Sequence, residues 1–349
     1  MITQRRVMAA GFAAATALVL SACSAGSEST EGATGAPGAT GASGETTMVN
    51  VVKLAGGDWF NRMEVGNQAW AAKNTGFVVT QTAGDDASEE KQIAVINDLI
   101  PQQPAALTVV PNSPESLESV LKRAQEAGIV VITHEAPGIQ NAVANIEAFD
   151  NKSYGGFQMD TLAACMGGSG EYVHMVGSLT VASHNVWAEG ALEQAAAEYP
   201  DITRVTDPIS SDEDQETAYQ RTKELIATYP EIKGFIGAAS TDIAGIGRAI
   251  QEAGLQDQTC VIGTSTPSTA GSLLEDGSVD VITGWDPALA GEAMLQAAKI
   301  VMDGGEIVDG LDLGVAGYES ITQDPEIDNN FYGDAWIEIG LDNLEDYPF

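Results

Sequence analysis

Val49 to Thr82 reads VNVVKLAGGDWFNRMEVGNQAWAAKNTGFVVTQT. It opens on a β-rich run from Val49 to Leu54, passes Gly56-Gly57, and then carries apolar residues at helical spacing from Asn61 to Lys73. A second β-rich run follows from Phe77 to Thr82, after Lys73-Asn74-Thr75-Gly76, where a glycine can take the left-handed conformation that ends a helix. Strand, helix and strand at this spacing form a βαβ unit, and a chain of such units builds a parallel sheet covered by helices on both faces.

The pattern continues outward. Strands are predicted at Ala106 to Val110 and Ile129 to His134, with helices at Glu89 to Ile100 and Pro114 to Ala127. Further strands follow at Ala142 to Ile146, Tyr172 to Val176, Ile202 to Thr206, Gly234 to Gly237 and Cys260 to Gly263. Their helices are Tyr154 to Met166, Asn185 to Glu198, Gln215 to Thr228 and Ile243 to Ala253. A last strand, Val279 to Gly284, and a last helix, Leu289 to Met302, precede an irregular tail. So many strands strain a single open sheet, and Pro137-Gly138 is a natural break. The class is α/β, in two similar halves.

The N-terminal segment has a different character. Arg5-Arg6, an apolar run from Val7 to Ala22 and the box Leu20-Ser21-Ala22-Cys23 have the order of a secretory signal with a lipoprotein-type cleavage site. The run is shorter than the roughly 20 residues that cross a hydrocarbon core. The expectation is a signal peptide over 1–22, with Cys23 lipidated; Arg5-Arg6 leaves Sec and twin-arginine export both open. Ser24 to Thr47 holds no aromatic residue and no Val, Ile or Leu, so 23–47 is expected to be a lipidated cysteine and a flexible linker. The protein would then act outside the cytoplasm, anchored to the cell membrane.

The chain has 15 Lys and Arg against 50 Asp and Glu, and leaving out Arg5 and Arg6 takes its formal charge from −35 to −37. Such a surface repels phosphate backbones and anionic lipid heads, which excludes nucleic acid as a partner. Apart from Cys23 there are two cysteines, Cys165 and Cys260. In an oxidising compartment they could form a disulfide, with two buried thiols as the alternative.

Open parallel sheets bind ligands beyond the carboxyl ends of their strands. Those ends here are polar and aromatic: Lys53 with Trp59, Phe60 and Asn61; His134 with Glu135; Ser183, His184 and Asn185; Ser240 and Asp242; Thr266; and Asp286. Charged groups beside aromatic faces suit a small polyhydroxylated ligand, whose hydroxyls need donors and acceptors while its C–H faces lie on rings. Lys53 stands out, because a lysine closing an apolar strand is costly unless it is paired or aimed at a ligand. Asn61 and Asp242 could equally serve as helix caps.

Signatures of catalysis are missing. The sequence has no G-x-S-x-G elbow, no G-x-x-x-x-G-K loop and no H-E-x-x-H, and its three histidines, His134, His174 and His184, lack metal-ligand spacing. Gly245-Ile246-Gly247 is only a fragment of a dinucleotide fingerprint. No enzyme activity, cofactor or metal is expected.

Lys53 to Met63, Gly177 to Trp187, Gly263-Thr264-Ser265-Thr266-Pro267, Gly284-Trp285-Asp286 and Asn343 to Phe349 together resemble the periplasmic-binding-protein type 1 family. Within it the chain is most similar to substrate-binding lipoproteins of ABC importers for simple sugars, close to the autoinducer-2 and rhamnose binding branch. The resemblance implies two Rossmann-like domains with parallel sheets, joined by a three-segment hinge that closes on the ligand. The crossings are expected near Pro137, Pro267 and Gly310, giving an N-terminal lobe of 48–136 plus 268–310 and a C-terminal lobe of 137–267 plus 311–349. It also implies an ABC permease as partner and a monomer as the working state.

Lys53 matches a ligand-contacting lysine of the autoinducer-2 binders. Glu135 stands where they have an aspartate, Ser183 and His184 where they have an Asp-Gln pair, and Ala238 and Ser240 where they have a proline and an alanine. These departures favour a small sugar, deoxysugar or polyol over autoinducer-2. Two other readings of the cleft stay open: a sensory protein whose ligand is read by a membrane receptor, and a sugar-acting enzyme using Glu135 or Asp286.

Overall fold

The computed structural model describes residues 44–349. The signal-peptide and linker expectations, with Cys23, lie outside the described residues apart from 44–47, of which Thr46 and Thr47 already begin the first strand. The chain first alternates β1 (Thr46–Val51), α1 (Asp58–Lys73), β2 (Phe77–Thr82), α2 (Glu89–Leu99), β3 (Ala106–Val109), α3 (Pro114–Glu126), β4 (Val130–Thr133) and β5 (Ala144–Glu147). It continues through α4 (Asn151–Met166), β6 (Gly170–Val176), α5 (Ala182–Glu198), β7 (Ile202–Arg204), β8 (Ile209–Ser210), α6 (Gln215–Thr228) and β9 (Ile232–Gly237). After α7 (Asp242–Ala253), β10 (Cys260–Thr264), α8 (Pro267–Glu275), β11 (Val281–Trp285) and α9 (Pro287–Met302), the tail adds β12 (Thr322–Gln323), β13 (Asn330–Tyr332) and β14 (Trp336–Ile339).

Local chemistry accounts for the elements. In α3, Pro114 fills the first turn and the Ser113 hydroxyl accepts from the Ser116 N–H at 3.3 Å. Leu117, Val120, Leu121 and Ala124 form one buried stripe. β3 is buried along its whole length, as a central strand covered on both faces must be. In α4 and α5 the apolar pattern is weak because the two helices approach each other backbone to backbone. A Cβ on Gly155 would stand 2.1 Å from the Trp187 carbonyl oxygen, so only glycine lets them meet.

Two sheets result, in the orders β12-β13-β5-β4-β3-β1-β2 and β14-β11-β10-β9-β6-β7, with β8 beside β6. All pairings are parallel except β12 with β13 and β11 with β14. Helix α9 follows the second sheet but packs on α1 and on β3, β4 and β5 of the first.

These pairings move the expected lobe boundaries. Pro137-Gly138 is a turn inside the first half, since β5 beyond it pairs with β4 through Ile132 and Ala144. The chain crosses after Glu147, where α4 begins to cover the second sheet. β11 pairs with β10, so the second crossing comes after Trp285 and not near Pro267. β12 and β13 return to the first sheet beside β5, and the third crossing falls between Tyr332 and Trp336, past Gly310. Pro137-Gly138 and Gly310 do lie in turns and Pro267 opens α8, but strand pairing decides which sheet a segment joins.

Cys165 at the end of α4 and Cys260 at the start of β10 are disulfide-bonded, with Cα atoms 6.0 Å apart. Among the described residues no helix is long and apolar enough to cross a membrane.

On β6, His174 is fully buried and neither ring nitrogen finds a hydrogen-bond partner among the described residues. Burial, reinforced by the Arg204 charge, pushes its pKa down to about 3 from 6.5. The unfolded chain therefore takes up a proton that the folded state refuses, so this group's stability is present above pH 6.5 and is lost as pH falls towards 3. His174→Leu is expected to flatten the acid limb of a Tm-against-pH curve between pH 7.5 and 4.5. An unchanged acid limb would refute this assignment.

Candidate functional site

A small cavity opens where the carboxyl ends of the two sheets meet. The first half supplies Lys53, Trp59, Phe60 and Glu135. From the second come His184, Trp187, Glu213, Ala238, Ala239, Ser240, Thr264 and Trp285. The halves are closed on each other: Trp59 meets Trp285 edge-on with ring centroids 4.7 Å apart, and the Thr180 hydroxyl donates to the Asn112 carbonyl at 3.4 Å.

Lys53 is the centre of the site. It lies two residues past the end of β1 and is 2 % exposed, and its Nζ donates to Glu135 Oε2 at 2.6 Å and stands 3.6 Å from Glu213 Oε1. Burial opposes its charge, but the two carboxylates outweigh that and raise its pKa. Glu135 follows β4 and Glu213 follows β8, and both hold left-handed backbones, with φ of 54° and 55°. A non-glycine residue is seldom found there, and such strain concentrates at binding sites. Burial pushes the Glu213 carboxyl up, against the pull of Lys53.

The other predicted residues divide by position. His184 sits in the first turn of α5; its Nδ1 accepts from the Gly177 N–H at 3.2 Å, so the proton is on Nε2, which is 3.8 Å from Glu135 Oε2. Burial holds its pKa well below 6.5, so the ring is a neutral donor. Ser183 is buried beside it, and its hydroxyl reaches Glu135 Oε2 at 3.5 Å. His134 lies one layer back, donating from Nδ1 to the Ile146 carbonyl at 2.6 Å and packing edge-on against Trp285. Ser240 lines the cavity, and its carbonyl accepts from Ser265.

Five candidates are used elsewhere. Asn61 is exposed on α1, which begins at Asp58 and not at Asn61; Trp59, Phe60 and Met63 then face inward and Asn61 outward. Asn185 likewise falls within α5, and its amide donates to the Leu179 and Val181 carbonyls. Asp242 accepts from the Ala238 and Ala239 N–H groups at 3.1 and 2.9 Å, bracing the loop after β9. Its burial lifts its pKa to about 7. The Thr266 hydroxyl bonds Ser268 and Thr269 in the first turn of α8. Asp286 caps α9 through the Ala288 N–H and holds Arg62 in a two-point ion pair at 2.8 and 2.6 Å.

Glu213, Trp187, Thr264 and Trp285 were not singled out as candidates. Glu213 follows a two-residue strand, too short to show a pattern, and its neighbours Asp212 and Asp214 make it read as a polar loop. Trp187 and Trp285 are buried and wall the cavity. The Trp285 Nε1 donor has no hydrogen-bond partner among the described residues, nor has Glu213 Oε1, which faces the Lys53 ammonium at 3.6 Å. A closed, aromatic-walled cavity with charged groups from both halves and free donor and acceptor atoms is built to hold a small polar molecule.

Comparison with known proteins agrees with this architecture. The chain is 26% identical over 253 residues to the xylitol-binding protein of Mycolicibacterium smegmatis, covering 71% of this chain and 67% of that protein. Its fold superposes with a TM-score of 0.80 on LsrB from Clostridium saccharobutylicum in complex with AI-2, at 21% identity over 87% of this chain and 100% of that one. It matches an ABC transporter solute-binding protein from Clostridium phytofermentas with bound L-rhamnose equally well, with a TM-score of 0.80 at 19% identity over 87% and 98% of the two chains. The model of the periplasmic binding protein domain family matches residues 48–306, most of the chain, and the protein belongs to that family.

Proposed function

We propose that the protein is an extracytoplasmic solute-binding protein that captures a small sugar, deoxysugar or polyol between its two halves and delivers it to an ABC permease. The observation that carries this reading is the cavity itself: Lys53 and Glu135 from one sheet and Glu213 and His184 from the other converge on it, between the rings of Trp59, Trp187 and Trp285. A ligand bonded to both sides favours closure, because it gains contacts in the closed form that the open form cannot offer. Relatives that bind xylitol and L-rhamnose support the ligand class.

A melting-temperature screen over pentoses, hexoses, deoxysugars and polyols tests the proposal. A hit should raise Tm in proportion to the logarithm of its concentration above Kd. Folded protein that answers to none of a broad panel would overturn it. In the same reading a lipid on Cys23 keeps the binding protein beside its permease. Cys23→Ser is expected to release the protein from the membrane fraction without weakening ligand affinity, and a variant that stays membrane-bound would refute the anchor.

A further inference from the structure

The charges around the cavity do not balance. Of its lining residues Lys53 alone is basic, against two carboxylates, Glu135 and Glu213. Lys53 is committed to Glu135 at 2.6 Å, while Glu213 Oε1 stands 3.6 Å from the ammonium and has no hydrogen-bond partner. Among the described residues the surroundings supply no compensating cation. His184 is a neutral donor, and Arg62 is taken by Asp286. Glu147, buried at the end of β5, is a further carboxyl group and is pushed up by its burial.

We infer that the preferred ligand carries an amino group, and that this cavity selects an amino sugar or aminopolyol whose ammonium pairs with Glu213. The inference rests on the sugar-binding reading above and narrows its substrate class. Two buried carboxylates that share one ammonium leave a negative charge uncompensated, which a cation arriving with the ligand would balance. Backbone geometry points the same way. Among the described residues only Gln103, Glu135, Asp212 and Glu213 are non-glycine residues with positive φ, and two of these four aim their carboxylates at Lys53. Burial pushes the Glu213 carboxyl up, and a ligand ammonium beside it would oppose that shift; with both carboxylates ionised, it brings the sum of Lys53, Glu135, Glu213 and the ligand from minus one to neutral. The ligand's hydroxyls would take the remaining groups, with Trp285 Nε1–H and His184 Nε2–H donating and Lys53 offering its unused protons. N-acetylation should abolish the advantage, since it removes the positive charge and adds bulk.

The test is calorimetric titration of the full-length protein with matched pairs: glucosamine with glucose, galactosamine with galactose, and 1-amino-1-deoxyxylitol with xylitol, plus N-acetylglucosamine. The expected result is at least one pair in which the amine binds at least about tenfold more tightly than its neutral parent, as a charge-assisted bond implies. Glu213→Gln should bring the members of that pair to within about threefold of each other, with circular dichroism confirming that the variant is folded. Neutral parents that bind as tightly as their amines would overturn the amine inference and leave the sugar-binding proposal standing. An amine preference that survives Glu213→Gln would overturn the role of Glu213. Failure of amines and neutral sugars alike, with folded protein, would overturn both.

Discussion

Lys53→Met is expected to abolish ligand binding and to destabilise the protein by about 3–5 kcal/mol, the usual cost of removing one partner from a buried ion pair. The side chain is 2 % exposed and stands between Glu135 and Glu213, so its loss leaves two buried carboxylates facing each other without a cation. Each would then resist ionisation, and a carboxyl whose folded pKa is raised contributes stability at low pH that is lost as pH rises through that pKa. The defect should therefore be larger at pH 8 than at pH 5, which denaturant melts at the two values would read directly. Lys53→Met with Glu135→Gln should recover part of the stability but none of the binding. A single variant that binds sugar normally, or that is equally stable at both pH values, would remove Lys53 from the centre of the site.

Breaking the disulfide should affect stability most. Cys165 and Cys260 are separated by 95 residues in sequence, and the chain-entropy estimate for closing a loop of that size is roughly 4–5 kcal/mol. The bond ties the end of α4 to the start of β10, so the constraint falls on the second half. Cys165→Ser with Cys260→Ser is expected to lower Tm on the order of 10 °C, taking a few degrees per kcal/mol for a protein of this size. Ligand affinity at 25 °C should change little, because both cysteines lie at the far ends of their elements from the cavity: β10 starts at Cys260 and reaches the cavity at Thr264. A Tm within a degree of the parent's would show that the loop is held as firmly by other contacts.

Much of this molecule could be read along the chain. Local periodicity places the strands and helices of the βαβ units, because a stripe of apolar side chains or a β-branched run lies within one window of sequence. Helix starts were read a few residues late at α1, α4 and α5, where polar and aromatic residues of the first turn resemble a loop. That offset is why Asn61 and Asn185 looked like ligand groups: on a helix they rotate away from the inward positions held by Trp59, Phe60 and His184. Asp242 and Asp286 carried the right chemistry at strand ends but spend it on backbone N–H groups and on Arg62. The choice between cap and ligand depends on where the carboxylate points, which residue type does not reveal.

The sequence by itself determined the α/β class, the two halves, the strand ends as the place for a site, and Lys53, Trp59, Phe60, Glu135, His184 and Ser240 as cavity residues. Only the tertiary structure decided which sheet β5, β11 and β13 join, and therefore where the chain crosses between halves. It alone brought Glu213 to Lys53, and Trp187 and Trp285 to the wall of the cavity. The physical reason is distance along the chain. A helix or strand is set by neighbours a few residues apart, whereas Lys53 and Glu135 meet across 82 residues, and contacts of that range form only when whole sheets have folded and closed.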